Sequence, residues 1–519
     1  MTGPAATSVR TLCKTLTDAF GKVARKSRAG YRSAGAELRS TAGRVRRADA
    51  GTALKIGAAA STGAALLTLQ GDEKKEYARP PRKGTAEDAE RVNTWWNSLS
   101  SAEQQELLRT EPERIGNLNG IPVAVRSEAN QRVMNADIER VEDVAKARGV
   151  SVDTIAKDPK KYGLTADDMT RYHNARNVRA GLEAYKGPNK ADPGKYPPTP
   201  YPTYLYAYQP LAFGGKGRAA ISIGDPDTAQ NTAVLVPGAS QSVRASDASD
   251  KGYFDVQRDQ AENLYVESNR ADPNKLTAVV AWMGYDDPPD GLKAVLDGDP
   301  TAEREGGNLL AEDVDGLRAT HQGPRSHVTA VGYSAGAMVV SDAAAASRLQ
   351  ADDVVLLGPI NADEAGHASD FNLGNRGKVY VGEASNDLNA HGGHLISNLV
   401  SGGSDPLDPD FGATRIKAET PDTPQYSSLI GYTGQAHLHY FTPGSESLYS
   451  TALIASDNAD RLGPEGMKAD EIDEHLLLPD DDPEEGRTGV QDNHYHRTEK
   501  SGDFPPAESF RGGADQPAQ

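Results

Sequence analysis

The chain has 519 residues, 37% of them hydrophobic, with a formal net charge of −18 and a single cysteine, Cys13. Its length allows two or three domains, and one cysteine excludes an intrachain disulfide framework. The acidic balance argues against nucleic acid as a general partner, because a net-negative surface repels a polyanion.

The charge is uneven along the chain. Residues 1–55 carry twelve Lys/Arg against Asp18, Glu37 and Asp49, a net of +9. Residues 1–85 therefore read as a basic, flexible extension, and such charge blocks are usually solvated. Within it, residues 56–71 (IGAAASTGAALLTLQG) are uncharged but too short and too rich in small residues for a membrane span. The basic stretch before them is too long for an ordinary signal peptide. A cytoplasmic location is expected, with export or membrane association through this N-terminal segment as the alternative.

Residues 86–195 form the next unit, a helical region. RVNTWWNSLSSAEQQELLRT (91–110) offers Ser98 and Ser100 as caps, acidic or amide residues soon after, and Leu107-Leu108 for burial. Trp95 and Trp96 are expected in the packed core of this region. Pro112 is expected to end the segment. Gly/Asn punctuation follows at residues 116–120, and then a long polar helix over about residues 127–148. GPNKADPGKYPPTPYPTY (187–204) is a connector by its proline and glycine content.

From residue 196 the pattern changes. LYAYQPLAF (205–213) and RAAISIGD (218–225) suggest a hairpin. TAVLVPGAS (232–240), TAVVAWMGYDDP (277–288), HVTAVGYSAG (327–336), DDVVLLGPIN (352–361) and GKVYVGEASND (377–387) each hold a short β-branched, apolar run. Strands buried on both faces have this composition. Helix-capable segments at 303–321 and 335–349 separate some of them. The alternation predicts an α/β domain over 196–462, a mostly parallel sheet with helices on both faces. Residues 463–519 are an acidic, disordered tail: from 465 onward, fifteen acids face five bases.

The stretch Gly332-Tyr333-Ser334-Ala335-Gly336 sits where a strand meets a helix. A serine bracketed by glycines at such a junction is the pattern of a nucleophile elbow. A serine hydroxyl needs a base, and the base needs an orienting carboxylate, in the chain order Ser, acid, His. Asp387, closing the strand at 377–387, suits the acid, with Asp363 and Asp405 as weaker choices. QAHLHYF (435–441) offers two histidines, His437 and His439, for the base. The oxyanion hole is expected from the backbone N–H of Ala335 and that of Ala239. Gly238, Ser240, Gly284 and Tyr333 are the candidates to line the substrate site. His391 and His394 lack an evident third ligand, so no metal is expected there, and no cofactor is implied.

In these residues the chain resembles an uncharacterised family of α/β-hydrolases common in high-GC Gram-positive bacteria. The matching pieces are WWNSLS (95–100), PERIGNLNGIPVAVRSEAN (112–130), VPGAS (236–240), VGYSAG (331–336), ADDVVLLG (351–358), SDPLDPDFGA (404–413), AHLHYF (436–441) and GSESL (444–448). They span about residues 90–460. The family pattern has histidine before the elbow serine, where this chain has Tyr333. The family's late histidine falls three residues before a tyrosine, which maps to His437 ahead of Tyr440 and favours His437 over His439. The resemblance implies an α/β-hydrolase fold and a triad, but no substrate.

Two functions fit these features. One is a serine hydrolase acting on a small-molecule or lipid-like ester, thioester or amide. The other is a non-catalytic binding module of the same fold that docks to a membrane surface or protein partner through the basic N-terminus.

Overall fold

The computed structural model describes residues 86–183, 201–239, 241–244, 254–287, 300–374, 377–384, 387, 404–420 and 436–469. The extension over 1–85, with its expected membrane contact, and the acidic tail beyond 469 lie outside the described residues. Among the described residues no helix is long and apolar enough to cross a membrane.

Eight strands form one sheet: β1 (Thr203–Gln209), β2 (Arg218–Ile223), β3 (Asn231–Val236), β4 (Thr277–Met283), β5 (His327–Tyr333), β6 (Asp353–Leu357), β7 (Val379–Gly382) and β8 (Thr414–Arg415). Their order is β1-β2-β4-β3-β5-β6-β7-β8. The expected hairpin is present: β1 and β2 are antiparallel, β2 and β4 are antiparallel, and every later pairing is parallel. The apolar runs form strands because both faces are covered. Along β3, Val234 and Val236 face one core while Ala233 and Leu235 face the other. The same alternation divides Val354 and Leu356 of β6 from Val355 and Leu357.

One face is covered by helices over Thr301–Thr320 and Ala335–Ala345, the other by Phe254–Ala271 and Glu446–Ala455. The helix over Phe254–Ala271 was not anticipated. It is polar through most of its length and buries Phe254, Ala261, Leu264 and Tyr265 only because the sheet lies beneath them.

In chain order the helices that matter here are α1 (Ala86–Ser98), α2 (Ser101–Thr110), α3 (Pro112–Gly116), α4 (Val123–Arg148), α5 (Ala166–Glu183), α6 (Phe254–Ala271), α7 (Thr301–Thr320), α8 (Ala335–Ala345) and α9 (Glu446–Ala455). Ser100 caps α2 in a capping box with Glu103. Ser98, the other expected cap, instead donates to the Trp95 carbonyl. As expected, α2 ends just before Pro112, at Thr110 with Glu111 as its C-cap, and Pro112 also starts α3 at its first turn, as a residue without an N–H can. Trp95 and Trp96 are buried with Leu108, Ile115, Leu118 and Ile121.

The helical region closes the free edge of β1. Asn117 accepts from the N–H of Tyr208 and donates to its carbonyl, both at 3.0 Å. Ser127 Oγ accepts the N–H of Leu205 at 2.9 Å, and Asn130 donates to the Leu205 carbonyl at 3.0 Å and to that of Gly116 at 2.8 Å. An edge strand otherwise exposes these groups as a template for another chain. In turn, the buried carboxylate of Asp227, between β2 and β3, accepts the N–H of Val123 at the start of α4. Side chains of α4 and α5, among them Met134, Ile138, Val141 and Val178, share a core with Leu205, Tyr208, Ala219 and Ile221 of the hairpin.

Asn130→Ala takes the donor from the Leu205 carbonyl, while the Gly116 carbonyl keeps Arg126 Nε at 3.1 Å, and an unpaired buried polar group costs about 1–3 kcal/mol. The variant is expected to lose about 2 kcal/mol or more in urea unfolding. An unchanged unfolding midpoint would contradict the edge-closing role.

Candidate active site

The turn after β5 is the centre of the site. Ser334 has φ 54° and ψ −124°, between the last residue of β5 and the first of α8. Its N–H continues the β5–β6 ladder, donating to the Leu357 carbonyl at 3.0 Å, while its carbonyl accepts the N–H of Ala337 at 2.9 Å. The flanking glycines let the elements close around it. A Cβ on Gly336 would lie 2.4 Å from the Pro237 oxygen and 2.5 Å from that of Val236. One on Gly332 would lie 2.6 Å from Cα of Ala337. Strand β3 therefore abuts the start of α8 backbone to backbone.

His437 and Asp387 reach the serine from distant parts of the chain. His437 Nε2 is 2.9 Å from Ser334 Oγ, and its Nδ1 is 2.6 Å from Asp387 Oδ2. With the Nδ1 proton donated to the carboxylate, Nε2 accepts from the hydroxyl. Asp387 is fully buried, whereas Ser334 and His437 keep 9% and 7% of their surface exposed. His439, the other late histidine, pairs through Nδ1 with Thr442 Oγ1 at 3.1 Å. The weaker carboxylates lie elsewhere: Asp363 pairs with Arg304, and Asp405 accepts the N–H of Leu407 in its own turn.

The remaining expected residues divide. Gly238 lies against Ser334, its absent side chain leaving 3.0 Å to the serine Cβ and 3.4 Å to Oγ. Ala239 follows it at the exit of β3, partly exposed. Ala335 opens α8, where the first N–H groups of a helix have no partner within it. Gly284 lies against the Trp282 indole on β4. Ser240, His391 and His394 lie outside the described residues. Tyr333, expected to line the substrate site, is buried; its hydroxyl donates to the backbone carbonyl of His437 and its ring packs on His437, Tyr440 and Phe441. Its hydroxyl ties the elbow to the histidine segment.

Three further side chains support the constellation. Tyr285 donates to the Pro237 carbonyl at 3.1 Å, and the buried carboxylate of Asp287 accepts the N–H of Gln241, so the exit of β4 braces the loop after β3 at two points. Burial pushes the Asp287 carboxyl up to about 6. Tyr440 donates to Asp387 Oδ2 at 2.7 Å. In the sequence Tyr285 stands with Met283 and Gly284 at the end of a strand, as a candidate to line the pocket, and Tyr440 is part of AHLHYF. The family resemblance, which sets a tyrosine three residues after the late histidine, is the one signal that ties Tyr440 to the site.

A serine on a strand-to-helix turn of a mostly parallel sheet, in contact with an imidazole that contacts a carboxylate, defines the α/β-hydrolase class. Sequence similarity agrees. A model of the Alpha/beta hydrolase family matches residues 214–396. The chain is 31% identical over 267 residues to an uncharacterized protein of Mycobacterium bovis, covering 51% of this chain and 92% of that one. It belongs to this α/β-hydrolase family. It is also 44% identical over 406 residues to an uncharacterized protein of Mycobacterium tuberculosis strain H37Rv, over 75% of its own length and 58% of that relative's. An esterase of the archaeon Pyrobaculum calidifontis aligns at 11% identity and a TM-score of 0.29, over 59% of this chain and 97% of the esterase.

The Ser334 backbone lies in a region that side chains with a Cβ rarely adopt, a strain of about 1–3 kcal/mol. Glycine relieves it and alanine does not. Ser334→Gly is expected to unfold at a higher temperature than Ser334→Ala, the strain relief exceeding the backbone entropy that glycine loses, about 0.5–1 kcal/mol. The reverse order would show that the turn is relaxed.

Proposed function

We propose that the chain is a serine hydrolase that cleaves an ester, thioester or amide through an acyl-enzyme. Ser334 is the nucleophile, His437 the general base and then acid, and Asp387 the carboxylate that orients the imidazole. The observation that carries this reading is the position of His437, 2.9 Å from the serine oxygen and 2.6 Å from the carboxylate.

In the first half-reaction Ser334 Oγ attacks the acyl carbon and its proton passes to His437 Nε2. Charge grows on the substrate oxygen, and the N–H groups of Ala335 and Ala239 are the donors proposed to receive it. Gly238 leaves room there for the substrate oxygen, since any side chain would press on Ser334. Collapse of the tetrahedral intermediate sends the His437 proton to the leaving alcohol, thiol or amine. In the second half-reaction water adds to the acyl carbon while His437 takes its proton, then returns one to Ser334 as the acid departs. Asp387 stays ionised throughout and stabilises the imidazolium. A small-molecule or lipid-like acyl compound is the proposed substrate class.

A fluorophosphonate probe is expected to label the purified chain once, on Ser334. Ser334→Ala abolishes the label, and His437→Ala slows labelling by about a thousandfold or more, in the range that loss of a catalytic base costs elsewhere. Undiminished labelling of Ser334→Ala would sink the assignment.

A further inference from the structure

Tyr440 follows His437 by three residues and is fully buried. Its hydroxyl accepts the N–H of Ala384 at 3.1 Å and donates to Asp387 Oδ2 at 2.7 Å. That oxygen also accepts from His437 Nδ1. One carboxylate oxygen therefore serves two donors, an imidazole and a phenol.

The chain holds this phenol with unusual care. The hydroxyls of Ser445 and Ser447 both donate to the Tyr440 carbonyl. Asn263 on α6 donates to the Phe441 carbonyl at 3.0 Å, and Tyr333 donates to the His437 carbonyl. GSESL thus has a physical reading: Ser445 caps α9 through the N–H of Leu448, and with Ser447 it anchors the backbone of Tyr440. Burial, and the Asp387 charge after it, keep the phenol protonated far above its ordinary range, so it remains a donor. Other titratable groups around the cluster are Ser334 and Tyr333 from the elbow and Glu383 from the exit of β7, whose charge also acts on Tyr440.

We propose that Tyr440 is a positioning residue for the hydrolase reaction: its hydroxyl fixes the rotamer of Asp387 and limits how tightly that carboxylate holds a protonated His437. The inference rests on the serine-hydrolase reading. A donor on a carboxylate oxygen draws off part of the charge that would otherwise attract the imidazolium. Without it the carboxylate is freer to rotate and binds a protonated imidazole more strongly. The base form of His437 is then reached only at higher pH.

The test follows the second-order rate of fluorophosphonate labelling across pH in the full chain, with thermal unfolding measured alongside. Tyr440→Phe keeps the ring and removes the hydroxyl. It is expected to lower the plateau rate about tenfold and to raise the midpoint of the acid limb by about half a pH unit or more, the size that one charge-assisted hydrogen bond supports. Tyr206→Phe removes an equally buried hydroxyl that donates to the Asp313 carbonyl, away from the triad, so its midpoint stays at the wild-type value. Should Tyr440→Phe fail to fold, 3-fluorotyrosine at position 440 keeps the shape and strengthens the donor, and the midpoint moves down. A wild-type midpoint in Tyr440→Phe or in the fluorotyrosine protein, or an equal shift in Tyr206→Phe, overturns the proposal. A wild-type chain that never labels overturns the hydrolase reading itself, and the proposal with it.

Discussion

Everything in the site depends on one close approach, that of the end of β3 to the start of α8. At Gly336 two carbonyl oxygens of β3 and its exit lie where any side chain would begin. That contact sets Ser334 beside Gly238 and holds the serine in a backbone conformation it would not choose alone. The sheet supplies the rest of the frame. Leu357 of β6 takes the serine N–H, so the nucleophile candidate is anchored to the strand on one side and to the loop after β3 on the other. Strain of this kind survives only where the surroundings over-determine it, and here buried apolar residues pack both faces of the sheet.

Rigidity on the serine side is matched on the histidine side. The segment over 437–441 has little regular structure, only a short helical turn at Ala436–Leu438, yet its carbonyls at 437 and 441 are taken by side chains of β5 and α6 and that at 440 by serines of the adjoining turn into α9. Asp387 sits at the far end, buried and held by donors from that same segment. The distance between Ser334 and His437 is thus fixed by hydrogen bonds from β5, α6 and the turn before α9. At the other end of the sheet, amides and hydroxyls of the helical region close the edge of β1, so that region and the hairpin share one core.

How far the sequence reveals this depends on the kind of signal. Strands β3 to β7 are legible because burial on both faces selects β-branched residues whatever the topology. Strand β8 is two residues long and leaves no pattern. Helix α6 is hidden by its own polarity, since its buried stripe is defined by a sheet that sequence does not display. Ser334 is legible because steric crowding demands glycines at fixed offsets. The carboxylate and imidazole are legible as residue types at the ends of elements, and the preference for His437 over His439 rests on the family resemblance, which sets a tyrosine three residues after its histidine. Side-chain directions are the part that stays hidden. Tyr333, adjacent to the serine in sequence, turns its hydroxyl to a carbonyl a hundred residues away, and Asn117, which reads as turn punctuation, is a cap for a sheet edge.

The central claim is that Ser334 carries the acyl group during turnover. Mixing the chain with p-nitrophenyl acetate, quenching in acid within the first turnover and mapping the acetylated peptides by mass spectrometry tests it most directly. The account predicts a burst of about one p-nitrophenolate per chain, with the acetyl group on Ser334, as an activated nucleophile with a slower deacylation gives. Acetyl groups found only on other residues, or hydrolysis that proceeds with Ser334 never modified, would contradict it.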